Sequence, residues 1–203
     1  RPVAPEQQAS VHHQYVPADP AQGREAVFWL NPQLAARQSA VELDVLCFHE
    51  VWPGHHLQLS LALEHGASPL RSILLFNAYL EGWAKHAERL PLEIGWGGNE
   101  LETCCLRTEL YSAATLALDT GLHSRGWSAD EALRFFAEQT GADVDFARAV
   151  VLRSLANPGH LASYKLGLDR MRALRREFAA RNPAAAPRDF HDAVLGAGAL
   201  PLA

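Results

Sequence analysis

The sequence predicts a mostly α protein with at most a short strand or hairpin near its N-terminus. Two observations carry this. From residue 40 onward apolar residues recur at helical spacing, and the segments between them open on Ser, Asn or Asp and close on Gly or Pro. Before residue 40 the chain is rich in Pro, Gln and Ala and has no such period. We therefore expect one domain, with residues 1–39 as an extended arm and 40–203 as a helical body of six or seven helices.

In the arm, "EAVFWLNP" is a short apolar run before a proline and reads as a strand. In "SAVELDVLCFHEVW", Val41, Val45 and Phe48 fall on one helical face. "SPLRSILLFNAYLEGWAKHAERL" opens on a Ser cap at 68 with Pro69 in the first turn. "NELETCCLRTELYSAATLALDTG" runs from Asn99 to Gly121, a C-terminal glycine. "SADEALRFFAEQTG" opens on a Ser128–Glu131 capping box. "DVDFARAVVLRSLANPG" starts at Asp143 and stops before Pro158. "HLASYKLGLDRMRALRREFAA" is a last long helix, "RNPAAAPRD" a loop and "FHDAVLGAG" a short terminal helix.

The 203 residues are 48% hydrophobic and 20% charged, an ordinary folded composition. A net charge of -5 gives no basis for nucleic-acid binding, and no apolar run approaches the roughly 20 residues of a membrane span. The chain opens at Arg1 without a visible secretory signal, and its three cysteines (Cys47, Cys104, Cys105) suit reduced thiols. The expected compartment is the cytoplasm.

The chemistry lies in "CFHEVWPGHHLQLS", residues 47–60. A His-Glu-x-x-His helix holds zinc because i and i+4 share a face. Here Pro53 stands where the second histidine belongs. In a straight helix His56, at i+7 from His49, would be about 10 Å along the axis, too far to share an ion. Pro53 and Gly54 permit a break, and if "VWPG" loops out, His55 takes the i+4 place. Glu50 would then sit as general base beside His49. The third ligand expected is Glu81, in an otherwise apolar stretch, with Gly82 allowing a close backbone approach. Against this stand a kinked structural helix and a solvated Glu81 paired with Lys85 at i+4.

Four segments, in order, resemble a known family. "HEVWPGHHLQ", "LEGWAKHAERLPLEIG", "LALDTGLHSRGWSADEA" and "NPGHLASYKLG" are similar to the blocks of bacterial domain-of-unknown-function family eight-eight-five, across residues 49–167. That family is similar to gluzincin metallopeptidases of the carboxypeptidase Taq and thimet oligopeptidase type, which carry His-Glu-x-Gly-His. Dipeptidyl peptidase three tolerates one inserted residue there. The resemblance implies a gluzincin-like helical bundle and one divalent ion, zinc, on His49, His55 and Glu81. Matching on Gly-His favours His55 over His56.

It also implies Glu50 as base and Tyr164 as oxyanion donor. His123 is a further catalytic candidate, and Arg125, Arg153 and His160 are candidates for holding substrate. The chain departs from the family pattern at His86, where Tyr is expected, and at His160, where Gln is expected; both are expected near the site. Family members are usually more than twice as long, with a helical N-terminal half that helps enclose the cleft. That leaves an open site, a second copy or partner subunit closing it, or a task other than peptide cleavage.

Three functions follow. A zinc hydrolase of amide bonds would take a short peptide, bound by edge addition to the N-terminal strand. A metalloenzyme of a biosynthetic pathway would act on one small metabolite as hydrolase, cyclase or lyase. A non-catalytic helical binding module would have lost the site, against which His49, Glu50, His55 and Glu81 all stand intact.

Overall fold

The computed structural model describes residues 1–8, 12–65 and 76–201. The expected helix start at Ser68 and Pro69 lies outside them. Eight helices have ten or more residues among the described residues, and the sheet is a two-stranded hairpin. The mostly α expectation is met.

Strand β1 (Gln14–Val16) pairs antiparallel with β2 (Val27–Trp29), with Tyr15 opposite Phe28. The strand expected in "EAVFWLNP" is β2; β1 lies outside that expectation. Asn31 is fully buried, donates its side-chain amide to the Gln8 carbonyl and caps the short α1 (Pro32–Ala35). These bonds tie the arm to itself.

Helix α2 (Ala40–Glu50) starts at a Ser39–Glu42 capping box. It is followed by α3 (His55–Glu64), α4 (Asn77–Ala87) and the single turn α5 (Leu90–Glu93). Helix α6 (Gly98–Ser124) is the longest. Helix α7 (Ala129–Thr140) opens on the expected Ser128–Glu131 box, and α8 (Val144–Ala156) on Asp143, whose carboxylate accepts from the Phe146 amide. Helices α9 (His160–Arg181) and α10 (Pro187–Gly196) complete the chain. The last begins at Pro187 because proline in the first turn has no hydrogen bond to lose.

One expected terminus moves. Helix α6 does not stop at Gly121 but runs through it to Ser124. A Cβ at Gly121 would lie 2.2 Å from the Trp127 ring, so this glycine makes room for packing. The glycine that accepts the left-handed turn is Gly126, at φ 71°.

The core has two parts. Trp83, Met171, Phe190 and Leu195 join α4, α9 and α10. Leu118, Ala132, Phe136, Ala147 and Val151 join α6, α7 and α8. Between them α4 crosses α9 at two glycines. A Cβ on Gly82 would stand 2.5 Å from the Gly167 carbonyl carbon, and one on Gly167 would stand 2.1 Å from the Ala78 oxygen. No side chain fits at either position. Helix α9 is also tied to α6 by a paired contact of Arg172 with Glu109, at 2.6 and 2.7 Å.

Gly→Ala at an open helical position gains about 1 kcal/mol. Gly82→Ala or Gly167→Ala should instead lose about 2 kcal/mol or more through overpacking, read as a lower urea midpoint. A variant as stable as the parent would show the crossing to be slack. The Arg172 and Lys165 contacts pull the Glu109 carboxyl down to about 2. A lowered pKa adds stability that is present above the unfolded value of 4.5 and lost as pH falls toward 2. Glu109→Gln should therefore be less stable than the parent at pH 6, and the gap should shrink between pH 4.5 and 2. An unchanged gap across that window would remove the ion pair from the account.

Candidate metal centre

The break between α2 and α3 is the expected one. Residues 51–54 are not helical, and the Trp52–Pro53 bond is cis. A Cβ at Gly54 would meet the His49 carbonyl oxygen at 1.8 Å, so only glycine lets the chain fold back onto the end of α2. Trp83, 1% exposed, donates its indole N–H to the Pro53 carbonyl at 2.9 Å and holds the loop from α4.

The break brings His55 beside His49, with ring centroids 4.9 Å apart. Both face Glu81 on α4. The Glu81 Oε2 atom lies 3.3 Å from His49 Nε2 and 3.5 Å from His55 Nε2. The oxygen is buried, and neither contact is aligned as a hydrogen bond. His49, His55 and Glu81 are the group of ligand-type residues that converge among the described residues.

These residues fit a divalent ion on three counts. Ligands about 2.0–2.1 Å from one tetrahedral ion lie roughly 3.3 Å from each other, close to the separations here. Both imidazoles are also held in the tautomer a ligand needs. His49 Nδ1 donates to Glu88 Oε1 at 2.8 Å, which leaves Nε2 to bind. Gln58, 1% exposed, donates its amide to the Tyr79 carbonyl and turns its oxygen to His55 Nδ1 at 3.3 Å. Third, the charge around His49 calls for a cation. Burial lowers the His49 pKa, but the Glu81 and Glu88 carboxylates reverse this and raise it to about 10. Burial pushes Glu81 upward, and His49 and His55 pull it well below the usual carboxylate range. A positive charge between these groups is strongly favoured.

Glu88 is itself buried and charge-balanced. Its Oε2 accepts from Lys85 Nζ at 2.6 Å and from Thr108 Oγ1 at 2.8 Å. Lys85 thus serves Glu88, and the i+4 pair with Glu81 is not formed. His56 is not in the group; its Nδ1 lies 3.0 Å from Tyr15 Oη.

Glu50 ends α2 next to His49 and accepts from the Tyr15 amide of β1 at 3.2 Å, so the hairpin lies beside the site. Tyr164 on α9 stacks on His49, with ring centroids 6.3 Å apart. Burial and the Glu81 charge raise its phenol pKa, so it keeps its proton. Arg153 donates to Tyr164 Oη at 3.2 Å and to His160 Nε2 at 3.0 Å. Since Tyr164 accepts from Arg153, its own proton is available to the site. Burial and Arg153 together lower the His160 pKa, which keeps it neutral.

Three expected placements differ. His123 lies in the last turn of α6, not on a loop, and its Nε2 bonds the Ser154 carbonyl at 3.1 Å. Arg125 is the exposed C-cap of the same helix. Neither is brought together with the triad. His86 is i+5 from Glu81, about 140° around α4. It packs on the far side against His191, Nε2 to Nε2 3.4 Å, and burial with Arg175 pushes its pKa down to about 3.

Sequence reasoning missed Gln58, Glu88, Tyr15 and Asp119. Glu88 stands i+7 from Glu81, and that shared face was a usable signal. Asp119 accepts from Ser154 Oγ (3.1 Å) and the Gly159 amide (3.0 Å), holding the α8–α9 turn that carries Arg153, His160 and Tyr164.

The family model described as "Bacterial protein of unknown function (DUF885)" matches residues 1–203. The chain belongs to this family. The DUF885 chain is similar to a solved structure titled "putative lipoprotein" from Colwellia psychrerythraea: 33% identity, TM-score 0.92, covering 100% of this chain and 35% of that one. A second, titled "a putative lipoprotein of unknown function", comes from Shewanella oneidensis: 23% identity, TM-score 0.81, covering 94% of this chain and 37% of that one. This second likeness shows the fold alone. The DUF885 chain thus spans about a third of the length of these two neighbours. No functionally curated protein matches it.

After zinc loading and dialysis, parent and His56→Ala protein should hold one equivalent of metal by plasma emission. His49→Ala, His55→Ala and Glu81→Gln should hold none. Glu88→Gln should bind about 10–100-fold more weakly in a chelator competition, as expected for a second-layer partner. Metal retained by His55→Ala but lost by His56→Ala would reverse the ligand assignment.

Proposed function

We propose that the protein is a zinc-dependent hydrolase of amide bonds, with His49, His55 and Glu81 as ligands and Glu50 as general base. The observation that supports this most is the buried, hydrogen-bond-free Glu81 Oε2 between two imidazoles of fixed tautomer. Two histidines flanking a loop and a glutamate from the next helix are the gluzincin donor set, and borderline-soft zinc suits it.

When bound, the ion polarises a carbonyl and acidifies water. The remaining work falls to the chain. Glu50, one residue from His49, takes a proton from the attacking water and passes it to the leaving amine. The Tyr164 phenol, kept protonated by burial and by Glu81, donates to the oxygen that gains charge. The Tyr15 amide fixes the Glu50 carboxylate.

The second reading, a metalloenzyme acting on one small metabolite, draws on the neutral His160 beside Tyr164, which suits proton transfer. The titles of the two neighbours favour the cell envelope over the cytoplasm as the place of action. No helix among the described residues is long and apolar enough to cross a membrane.

A screen of acylated amino acids, short peptides and small amides with the zinc-loaded protein should find turnover. Glu50→Gln should keep its metal and lose about 100-fold or more of that rate. Metal-loaded Glu50→Gln with parental turnover would remove Glu50 from the chemistry.

A further inference from the structure

Next to Tyr164, on the side away from His49, a cavity of about 160 Å³ opens between α6, α7, α8 and α9. Its walls are Tyr111, Phe136, Phe146, Val150 and Leu161, and its mouth is Arg153 and Tyr164. The three aromatic rings stand in a triangle, with centroids 6.0, 6.1 and 6.2 Å apart. Ser112 and Thr115 also line it, but their hydroxyls are spent. Ser112 donates to the Thr108 carbonyl, and Thr115 to the carbonyls of Ser112 and Leu161. The interior therefore offers no polar group to a ligand. Its volume is close to that of an apolar cavity that takes one benzene molecule, about 150 Å³. It is too small for a whole ligand of drug size, which needs roughly 300 Å³ or more.

The mouth has the opposite character. The Arg153 guanidinium donates to two neutral acceptors, Tyr164 and His160, and forms no ion pair with a carboxylate among the described residues. A cation with no anion, at the rim of an apolar hole and one ring away from His49, is a matched pair of features. An α-amino acid carries both complements on one carbon: a side chain and a carboxylate.

We infer that this cavity and Arg153 form a subsite for the carboxyl-terminal residue of the substrate. The cavity takes one apolar or aromatic side chain, and Arg153 takes the free carboxylate. This rests on the hydrolase reading and narrows it to N-acylated or peptide-linked apolar amino acids. Water adds to the acyl carbon, the carbon–nitrogen bond breaks, and RCO–NH–CHR′–COO⁻ plus H₂O gives RCOO⁻ and H₃N⁺–CHR′–COO⁻. No further reactant is needed.

Two arms test this. In the first, the zinc-loaded protein is titrated calorimetrically with N-acetyl-L-phenylalanine, N-acetylglycine and N-acetyl-L-phenylalaninamide. The first should bind about tenfold or more tighter than either of the others. Arg153→Gln should erase the acid-over-amide preference and keep the phenylalanine-over-glycine preference. Val150→Phe, which fills the cavity, should do the reverse, so each variant controls for the folding of the other. Equal affinities, no binding, or preferences unchanged in both variants would overturn the subsite. The second arm measures hydrolysis of N-acyl dipeptides ending in Phe, Leu, Gly or Lys. Selective binding without hydrolysis of any member leaves the subsite and removes the hydrolase reading. Hydrolysis without preference for Phe or Leu leaves the hydrolase and removes the subsite.

Discussion

The candidate site depends on the crossing of α4 over α9 at Gly82 and Gly167. The two backbones meet with no room for a Cβ on either side. Glu81 is the neighbour of Gly82, and Tyr164 lies one turn before Gly167. The close approach therefore sets the depth at which a carboxylate from one helix and a phenol from the other reach His49. A crossing of ordinary width, about 8–10 Å between axes, would draw one of them away. Two flexible residues at the least flexible contact of the bundle make sense only in this light. Glycine costs helix stability, and here the cost is offset by van der Waals contact along α4, where all but one of the residues from Tyr79 to Ala87 are buried.

The second constraint is the break at residues 51–54. A continuous helix would put His55 on the wrong face, and only glycine at 54 allows the return. Breaking a helix leaves backbone groups without partners, and α4 supplies one of them. The Trp83 indole N–H takes the Pro53 carbonyl, two residues along from Glu81. Gln58 completes the link by joining His55 to the Tyr79 carbonyl. One helix thus provides the ligand, the brace for the loop and the anchor for the second imidazole. The buried charges balance within the same group: Lys85 answers Glu88, and Glu88 orients His49. Removing one member leaves the others buried and unpaired, which is far more costly than never burying them.

Much of this was legible in the sequence. Ser128–Glu131 and Asp143 mark their helices because capping is a local matter, decided within four residues. The break at Pro53–Gly54 and the choice of His55 over His56 followed from helical geometry and from the family blocks. Gly82 was readable as a close approach, though its partner Gly167 was not. What escaped was nonlocal. Glu88 meets His49 across 39 positions and Asp119 meets Ser154 across 35, and no period links them. Gly121 misled because a glycine at a helix end and a glycine under a tryptophan ring look the same in one dimension. His123 and His86 misled for a related reason. Histidine serves equally as ligand and as packed, hydrogen-bonded side chain, and only its neighbours decide.

The two sides of the candidate site are built on separate supports. His49, His55 and Glu81 stand on α2, α3 and α4, braced by Trp83, Gln58 and Glu88. Arg153, His160 and Tyr164 stand on α8 and α9, whose connecting turn is held by Asp119 through Ser154 and Gly159. The supports share few groups and meet where Tyr164 stacks on His49. Interactions with no shared partners vary nearly independently. Residues around Arg153 and the aromatic cavity can therefore change without moving the His–His–Glu group. Such a division lets one arrangement of ligands serve different substrates, with Tyr164 as the one side chain that must answer to both.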